Sequence, residues 1–316
     1  MRRLLIAVAL PLLSIALFGC SELPHCPPGQ ICNFDGLDMS LATGQGRLRM
    51  LFAHSAGDYP GAKSLPRSLA TELGLVPMGE VREVPLTAIA GDKAIDQSVS
   101  LNVSEYGDGK YVRLEVFELA LSPHLWQEKP LRQWPDPQDN DDNWRPGKLL
   151  KAWATYRSCR IKSPVRKLTA EAVCKWINGS TRSGSCALLP RVPNGDRLAI
   201  VAHGMGAMAV YSVLQEYSGT TNPLNESLRR VIYVAPPFEA TFTSTPEQCE
   251  APKPYYGSGF TAQGVPVVIR DPMDALASPL QSGMAVDVTV NVGGGNPGYF
   301  DSPEIIDLLA HGRARQ

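Results

Sequence analysis

The sequence lacks an excess of charge of either sign. Its 30 lysine and arginine residues are matched by 31 aspartate and glutamate residues, so the formal net charge is -1. A surface that binds nucleic acid needs a positive field to attract the phosphate backbone, and this balance does not favour one. We therefore expect no nucleic acid partner.

Motifs for metal binding are also missing. The cysteines are scattered without C-x-x-C spacing, and no histidine lies at ligand spacing from them, which disfavours a cysteine-based zinc site. The acidic, proline-bounded segment 134–147 could bind calcium, but it lacks the glycine and the glutamate that an EF-hand loop needs. We interpret that segment as a solvated insertion, and we expect neither a metal ion nor a cofactor.

The apolar run at the N-terminus is too short to span a bilayer comfortably. Arg2 and Arg3 precede it, and its residues 4–18 carry no charge. A basic start followed by a short apolar run is typical of a signal peptide, which we assign to residues 1–19.

The end of this run, Leu-Phe-Gly-Cys at residues 17–20, resembles the lipobox of bacterial lipoproteins. The resemblance implies cleavage ahead of Cys20 and attachment of lipid to its thiol, so that the membrane is a partner. Because Ser21 follows, rather than aspartate, it also implies the outer membrane facing the periplasm. The alternative is an ordinary secretory signal with an incidental cysteine.

The rest of the chain divides into a tether and a folded body. Residues 20–46 are polar and rich in turn-forming residues, so we interpret them as a tether. Residues 47–316 suit a single domain with insertions. An even number of further cysteines in an exported chain predicts disulfides, of which Cys26 to Cys32 is our preferred pair. The six cysteines are Cys26, Cys32, Cys159, Cys174, Cys186 and Cys249.

Apolar runs in the body alternate with helical segments. Buried strands are predicted at residues 47–53, 111–121 (one or two strands), 198–202, 230–235, 265–270 and 286–292. Helices are predicted at residues 64–75, 207–217 and 302–309. Alternation of this kind predicts an α/β fold with a doubly wound, mostly parallel sheet.

One strand-turn-helix segment carries most of the functional information. Residues 197–207 read Arg-Leu-Ala-Ile-Val-Ala-His-Gly-Met-Gly-Ala. The segment resembles the nucleophile elbow of the α/β-hydrolase fold, in which a G-x-S-x-G turn lifts the catalytic serine above the sheet. Gly204 occupies the serine position and has no side chain that could attack a substrate. We interpret His203, which precedes it, as a structural residue rather than a base.

The same family carries its acid and its histidine after later strands. Asp271 and Asp274 follow the next-to-last predicted strand, where the resemblance implies the carboxylate. The loop after the last strand should hold the histidine, but the sequence has none there. Asn296 is the nearest polar residue, and an amide cannot act as a general base. His311 lies beyond the next helix and fits the role poorly.

An upstream segment, residues 51–60, resembles the strand and loop that supply one amide of the oxyanion hole in this family. Ser55 stands where glycine is usual. The oxyanion-like positions implied by the resemblance are His54, Ser55 and Met205.

Ser55 is also a candidate for a displaced nucleophile, because residues 53–57 loosely match x-H-S-x-G. A nucleophile elbow passes straight into a helix, whereas the sequence after Gly57 predicts a loop. We therefore favour a loop role for Ser55.

The two missing catalytic groups favour a protein without hydrolase activity. Loss of the nucleophile alone lowers turnover in serine hydrolases by about 10⁴- to 10⁶-fold. The primary expectation is a lipid-anchored envelope protein whose α/β-hydrolase-like scaffold binds a small molecule or a protein, with the crevice near Gly204 as the default site. One alternative is an active esterase or lipase with a rearranged site built on Ser55, or on a residue not recognised from the sequence, together with Asp271 or Asp274. Another is an immunity or secretion-accessory lipoprotein.

Overall fold

The structure is a computed structural model, and it describes part of the chain. The described residues are 34–41, 46–55, 60–86, 100–121, 164–179, 192–193, 195–214, 224, 227–236, 266–274, 277, 286–292 and 296–312. The predicted signal peptide, the lipobox and the acidic segment 134–147 lie outside them. So do all the cysteines except Cys174, which is buried in a helix.

Helices and strands alternate over most of the described chain. The helices are α1 (Asp38–Leu41), α2 (Pro60–Glu72), α3 (Pro164–Asn178), α4 (Met205–Leu214) and α5 (Pro303–His311), and a 3-10 helix covers Asn296–Asp301. The strands are β1 (Leu48–Ser55), β2 (Val76–Pro77), β3 (Arg82–Pro85), β4 (Ser100–Gly107), β5 (Val112–Leu121), β6 (Arg197–His203), β7 (Leu228–Val234), β8 (Val267–Arg270) and β9 (Val286–Thr289).

These nine strands form one mixed sheet that is mostly parallel, which confirms the prediction of an α/β protein. The order is β2-β4-β5-β1-β6-β7-β8-β9, and β3 pairs with β4. The six strands from β5 to β9 in this order are parallel, whereas β2, β3 and β5 each run antiparallel to β4. The antiparallel part was not predicted as such, because β2, β3 and β4 contain no apolar run.

Apolar side chains cover both faces of the sheet. On one face α3 and α4 pack against residues such as Leu51 and Ile200, and on the other α2 and α5 pack against residues such as Phe52 and Val201. Strand residues alternate between the faces, so a central parallel strand covered on both sides is apolar throughout. This pattern explains why β1 and β6 could be located from sequence.

The segment 34–41, which the sequence places in the tether, packs against the body. Leu37 is fully buried, and its backbone N–H donates to the Leu309 carbonyl at 3.0 Å. The Phe34 N–H donates to the Gly312 carbonyl at 3.3 Å, so the two ends of the described chain are neighbours. The sequence did not predict this contact, because the segment is rich in turn-forming residues and a single buried leucine gives no periodic pattern of apolar residues.

Predicted helix boundaries differ from the observed ones by a few residues. Helix α2 begins at Pro60 rather than at residue 64, because proline is favourable in the first turn of a helix, where its missing N–H is not needed. Helix α5 begins at Pro303 for the same reason and ends at His311, and the next residue, Gly312, has a φ of 75° that suits a glycine cap. Helix α3 was not predicted.

A buried ionic network joins β1 to β5. Arg49 Nε lies 3.1 Å from Glu115 Oε2, and Arg49 Nη2 lies 2.7 Å from Asp196 Oδ2. Burial raises the pKa of Glu115 and lowers that of Arg49, while each opposite charge shifts the pKa of its partner the other way. The network fixes β1 and β5 beneath α3, where Trp176 also donates its indole N–H to the Arg49 carbonyl.

Candidate functional site

The turn between β6 and α4 has the form that the sequence predicted. Gly204 follows the last strand residue and has a φ of 53°, and α4 begins at the next residue, Met205. The Gly204 N–H donates to the Val234 carbonyl at 3.0 Å, and its carbonyl accepts from the Ala207 N–H at 3.1 Å. A positive φ is readily adopted by glycine, so this position combines an elbow-like backbone with no nucleophile.

The second glycine of the turn touches the end of β1. A Cβ added at Gly206 would lie 2.5 Å from the Ala53 carbonyl oxygen and 2.7 Å from the His54 nitrogen. Only a residue without a side chain permits this backbone approach. The two segments that resemble the elbow and the oxyanion loop, including His54 and Met205, are therefore brought together.

Two histidines occupy equivalent places at the ends of the central strands. His54 of β1 and His203 of β6 are register partners, and both are buried. The His54 ring stacks on Phe52 with centroids 4.8 Å apart, whereas the His203 ring meets the edge of Phe300 at 5.0 Å. Aromatic rings contact both imidazoles, and the two that contact His203 are consistent with the structural role predicted for it.

Sequence reasoning missed the partner of His54. Its Nε2 lies 3.1 Å from Oε1 of Glu118, a carboxylate on the neighbouring strand β5. Its Nδ1 has no hydrogen-bond partner among the described residues. The sequence did show that Glu118 lies among the apolar residues of β5. It did not show which histidine this glutamate contacts.

Asp271 is engaged by backbone amides. Its Oδ1 accepts from the Met273 N–H at 2.8 Å, and its Oδ2 accepts from the Val292 N–H at 2.9 Å. These bonds join the turn after β8 to the chain after β9. A carboxylate that a catalytic histidine would need for orientation is here used to hold two loops together.

Asp271 and Asp274 are both linked to a buried tyrosine. The Asp271 N–H donates to the hydroxyl oxygen of Tyr299 at 2.6 Å, and that hydroxyl in turn donates to the Asp274 carboxylate. Burial, first, and the charges of the two aspartates raise the pKa of Tyr299 above its usual value. The tyrosine is therefore a neutral donor, and it closes a local hydrogen-bonded unit.

The other predicted site residues lie as follows. Ser55 is the last residue of β1, in register with Leu121 of β5. Asn296 is the first residue of the 3-10 helix. His311, at the end of α5, is paired with Asp38 and so does not join the strand ends.

Aromatic side chains cluster at the described strand ends. The His203 ring contacts those of Tyr299 and Phe300, and Phe300 also meets Phe52. Gly204, at the same edge, supplies no group that could form an acyl intermediate.

Comparison of the chain with protein-family models, with curated proteins and with solved structures found no match. Among the described helices, none combines the length and the apolar character that a bilayer span requires.

Proposed function

We propose that the chain is a lipid-anchored protein of the bacterial cell envelope, with an α/β-hydrolase-like scaffold that binds a small molecule or a protein without hydrolysing an ester. The proposal rests on one observation, the conformation and the missing side chain of Gly204. Its backbone has the positive φ of an elbow, and the following helix begins at once, yet the position has no side chain.

The sheet order supports the scaffold. Strand β6 lies inside the parallel part of the sheet, with β1 on one side and β7 on the other. The chain continues from β1 towards β5 and from β6 towards β7, so the connections diverge between β1 and β6. In open α/β sheets, ligands bind at the carboxyl ends of strands where connections diverge.

The engagement of Asp271 supports the absence of catalysis. Both of its carboxylate oxygens accept backbone N–H groups, and no histidine is present in residues 293–301, where the family would carry one. A hydrolase that has lost its nucleophile and its base retains binding but little turnover.

The experiment is ester turnover by the full chain, purified in mild detergent, on short- and medium-chain acyl esters, together with labelling by a fluorophosphonate. We expect no turnover above the uncatalysed rate and no labelling. The matched variants are Ser55→Ala and Gly204→Ser.

Turnover that disappears in Ser55→Ala would contradict the proposal and make the chain an esterase with a displaced nucleophile. Turnover that persists in Ser55→Ala would also contradict it and would point to another catalytic residue. Gly204→Ser restores one catalytic group of two, so we expect it to remain inactive as well.

A further inference from the structure

Four ionisable side chains meet where α1, α2 and α5 come together, away from the strand ends. Glu72 is the last residue of α2, Asp307 and His311 are on α5, and Asp38 is the first residue of α1. One ligand atom from each of Glu72, Asp307 and His311 lies within 4.8 Å of the other two.

The spacing of the three side chains suits a small metal ion. Asp307 and His311 are four residues apart on a helix, so both project from one face. The opposing Glu72 places its Oε1 3.4 Å from Nε2 of His311. Two ligands of a tetrahedral zinc ion, with bonds of about 2.0–2.1 Å, are about 3.4 Å apart. The Asp307 oxygen lies within 4.8 Å of the other two ligand atoms and would move closer to them when an ion binds.

The imidazole of His311 is oriented by Asp38, on the side of the ring away from Glu72. Its Nδ1 lies 3.0 Å from Oδ2 of Asp38, which accepts the proton of that nitrogen. This bond leaves Nε2, the nitrogen that faces Glu72, with a lone pair when the ring is neutral. A carboxylate that holds the second nitrogen of a histidine is the usual support of a zinc-binding imidazole.

The charge of the cluster also favours a cation. Three carboxylates surround one histidine. Asp307 is only 8% exposed, so water screens its charge poorly. A divalent ion would neutralise two of these negative charges.

We propose that Glu72, Asp307 and His311 bind a divalent transition-metal ion, zinc by preference, with Asp38 orienting the histidine. The nitrogen ligand favours zinc over calcium or magnesium, which prefer oxygen ligands. The ion would join α2 to α5 and, through Asp38, to α1. The proposal does not depend on the function of the crevice near Gly204.

The test is a zinc titration by calorimetry of the full chain in mild detergent, after treatment with a chelator. We expect one ion per chain. His311→Gln and Glu72→Gln should lower the affinity most, and Asp38→Asn should lower it by about 10- to 100-fold, since it removes an orienting group. Glu304→Gln, on the same helix but outside the cluster, should bind zinc as the wild type does.

A spectroscopic signature separates a defined site from loose binding. Cobalt in place of zinc should give the visible absorption of a four-coordinate ion, and His311→Gln should abolish it. Saturating zinc, at about 100 times the dissociation constant, should raise the melting temperature by about 5 °C in wild type.

The proposal would be overturned by a wild-type chain that binds no zinc. It would equally be overturned by affinity that is unchanged in Glu72→Gln and Asp38→Asn, both of which keep the volume of the side chain. If circular dichroism shows that His311→Gln does not fold, the zinc affinities of Glu72→Gln and Asp38→Asn decide the test.

Discussion

At the scale of single residues, the turn after β6 uses two glycines for different reasons. Gly204 adopts a positive φ, whereas Gly206 leaves room for the backbone of β1. The sequence predicted the turn, because small residues between an apolar strand and a helix are characteristic. It could not show that Ala53 and His54 lie against the second glycine, because that contact joins segments about 150 residues apart.

We expect Gly206→Ala to destabilise the fold strongly. The added Cβ would meet backbone atoms of Ala53 and His54, which cannot move aside as a side-chain end can, and we estimate a loss of about 3 kcal/mol in the free energy of unfolding. Chemical denaturation measures it. Gly79→Ala is the control, because a Cβ there meets nothing within 4 Å. Equal effects of the two variants would contradict the contact.

Asp108 makes the hairpin between β4 and β5 sensitive to acid. Its Oδ1 accepts the N–H groups of Lys110 and Tyr111, and its Oδ2 accepts from Arg113. The Tyr111 and Lys110 amides, and then Arg113, lower the pKa of Asp108 to about 2. Because the folded pKa is below the unfolded one, the stabilisation is present above about pH 4 and is lost as the pH falls through about 2.

Asp108→Asn removes this titration while it keeps an oxygen that can accept the amides. We expect the difference in melting temperature between wild type and Asp108→Asn to shrink as the pH falls from 4 to 2. An NMR titration of the Asp108 carboxyl should give a midpoint near 2. A difference that stays constant over this pH range would contradict the assignment.

At the scale of elements, β1 is held to β5 by ions as well as by the sheet. Removal of the Glu115 charge takes away one of the two carboxylates that pair with buried Arg49 and leaves Asp196 as the other. We expect Glu115→Gln to cost about 1.5–3 kcal/mol in the free energy of unfolding, because a buried hydrogen bond between charged groups is lost.

The matched control for this change is Glu105→Gln. Glu105 binds Arg82 at 2.6 Å, but at a partly exposed position on β4, and exposed pairs contribute about 0–1 kcal/mol. Urea denaturation of both variants measures the two costs. If Glu105→Gln proved as costly as Glu115→Gln, burial would not be the deciding factor.

Helix α1 belongs to the folded body by its contacts. We expect Leu37→Ala to cost about 2–5 kcal/mol, because Leu37 is fully buried against α5 and its removal leaves a cavity. Met39→Ala, two residues on, is the control, since Met39 is 57% exposed and its loss should change stability by about 0.5 kcal/mol or less. If both variants had similarly small effects, residues 34–41 would belong to the tether rather than to the folded body.

At the scale of the whole molecule, the parallel strands could be predicted and the antiparallel ones could not. Strands β6, β7 and β8 are short apolar runs covered on both faces, so composition alone locates them. Strands β2 and β3 are short and mostly exposed, and their sequences contain no apolar run. The candidate site could also be predicted only in part. The glycine turn was visible in the sequence, whereas the contacts of Asp271 and His54 join residues that are distant in the chain.

The membrane anchor is a prediction for the whole chain. We expect Cys20→Ser to abolish incorporation of labelled palmitate and to shift the protein from the membrane fraction to the soluble periplasmic fraction, because lipid on the thiol is the proposed attachment. Met39→Ala, at an exposed residue of α1, is the control and should keep the label. A Cys20→Ser chain that still incorporates palmitate would contradict the assignment.

The contact between Phe34 and Gly312 sets how far the body can stand from the bilayer. With lipid on Cys20 as proposed, fourteen peptide steps separate the anchor from Phe34, which at full extension span at most about 50 Å. Because the C-terminal residues leave the body at the same place, they start within the same reach of the lipid surface. A reporter fused to the C-terminus would therefore start close to the membrane surface, with the reach of the tether as the upper limit of its distance.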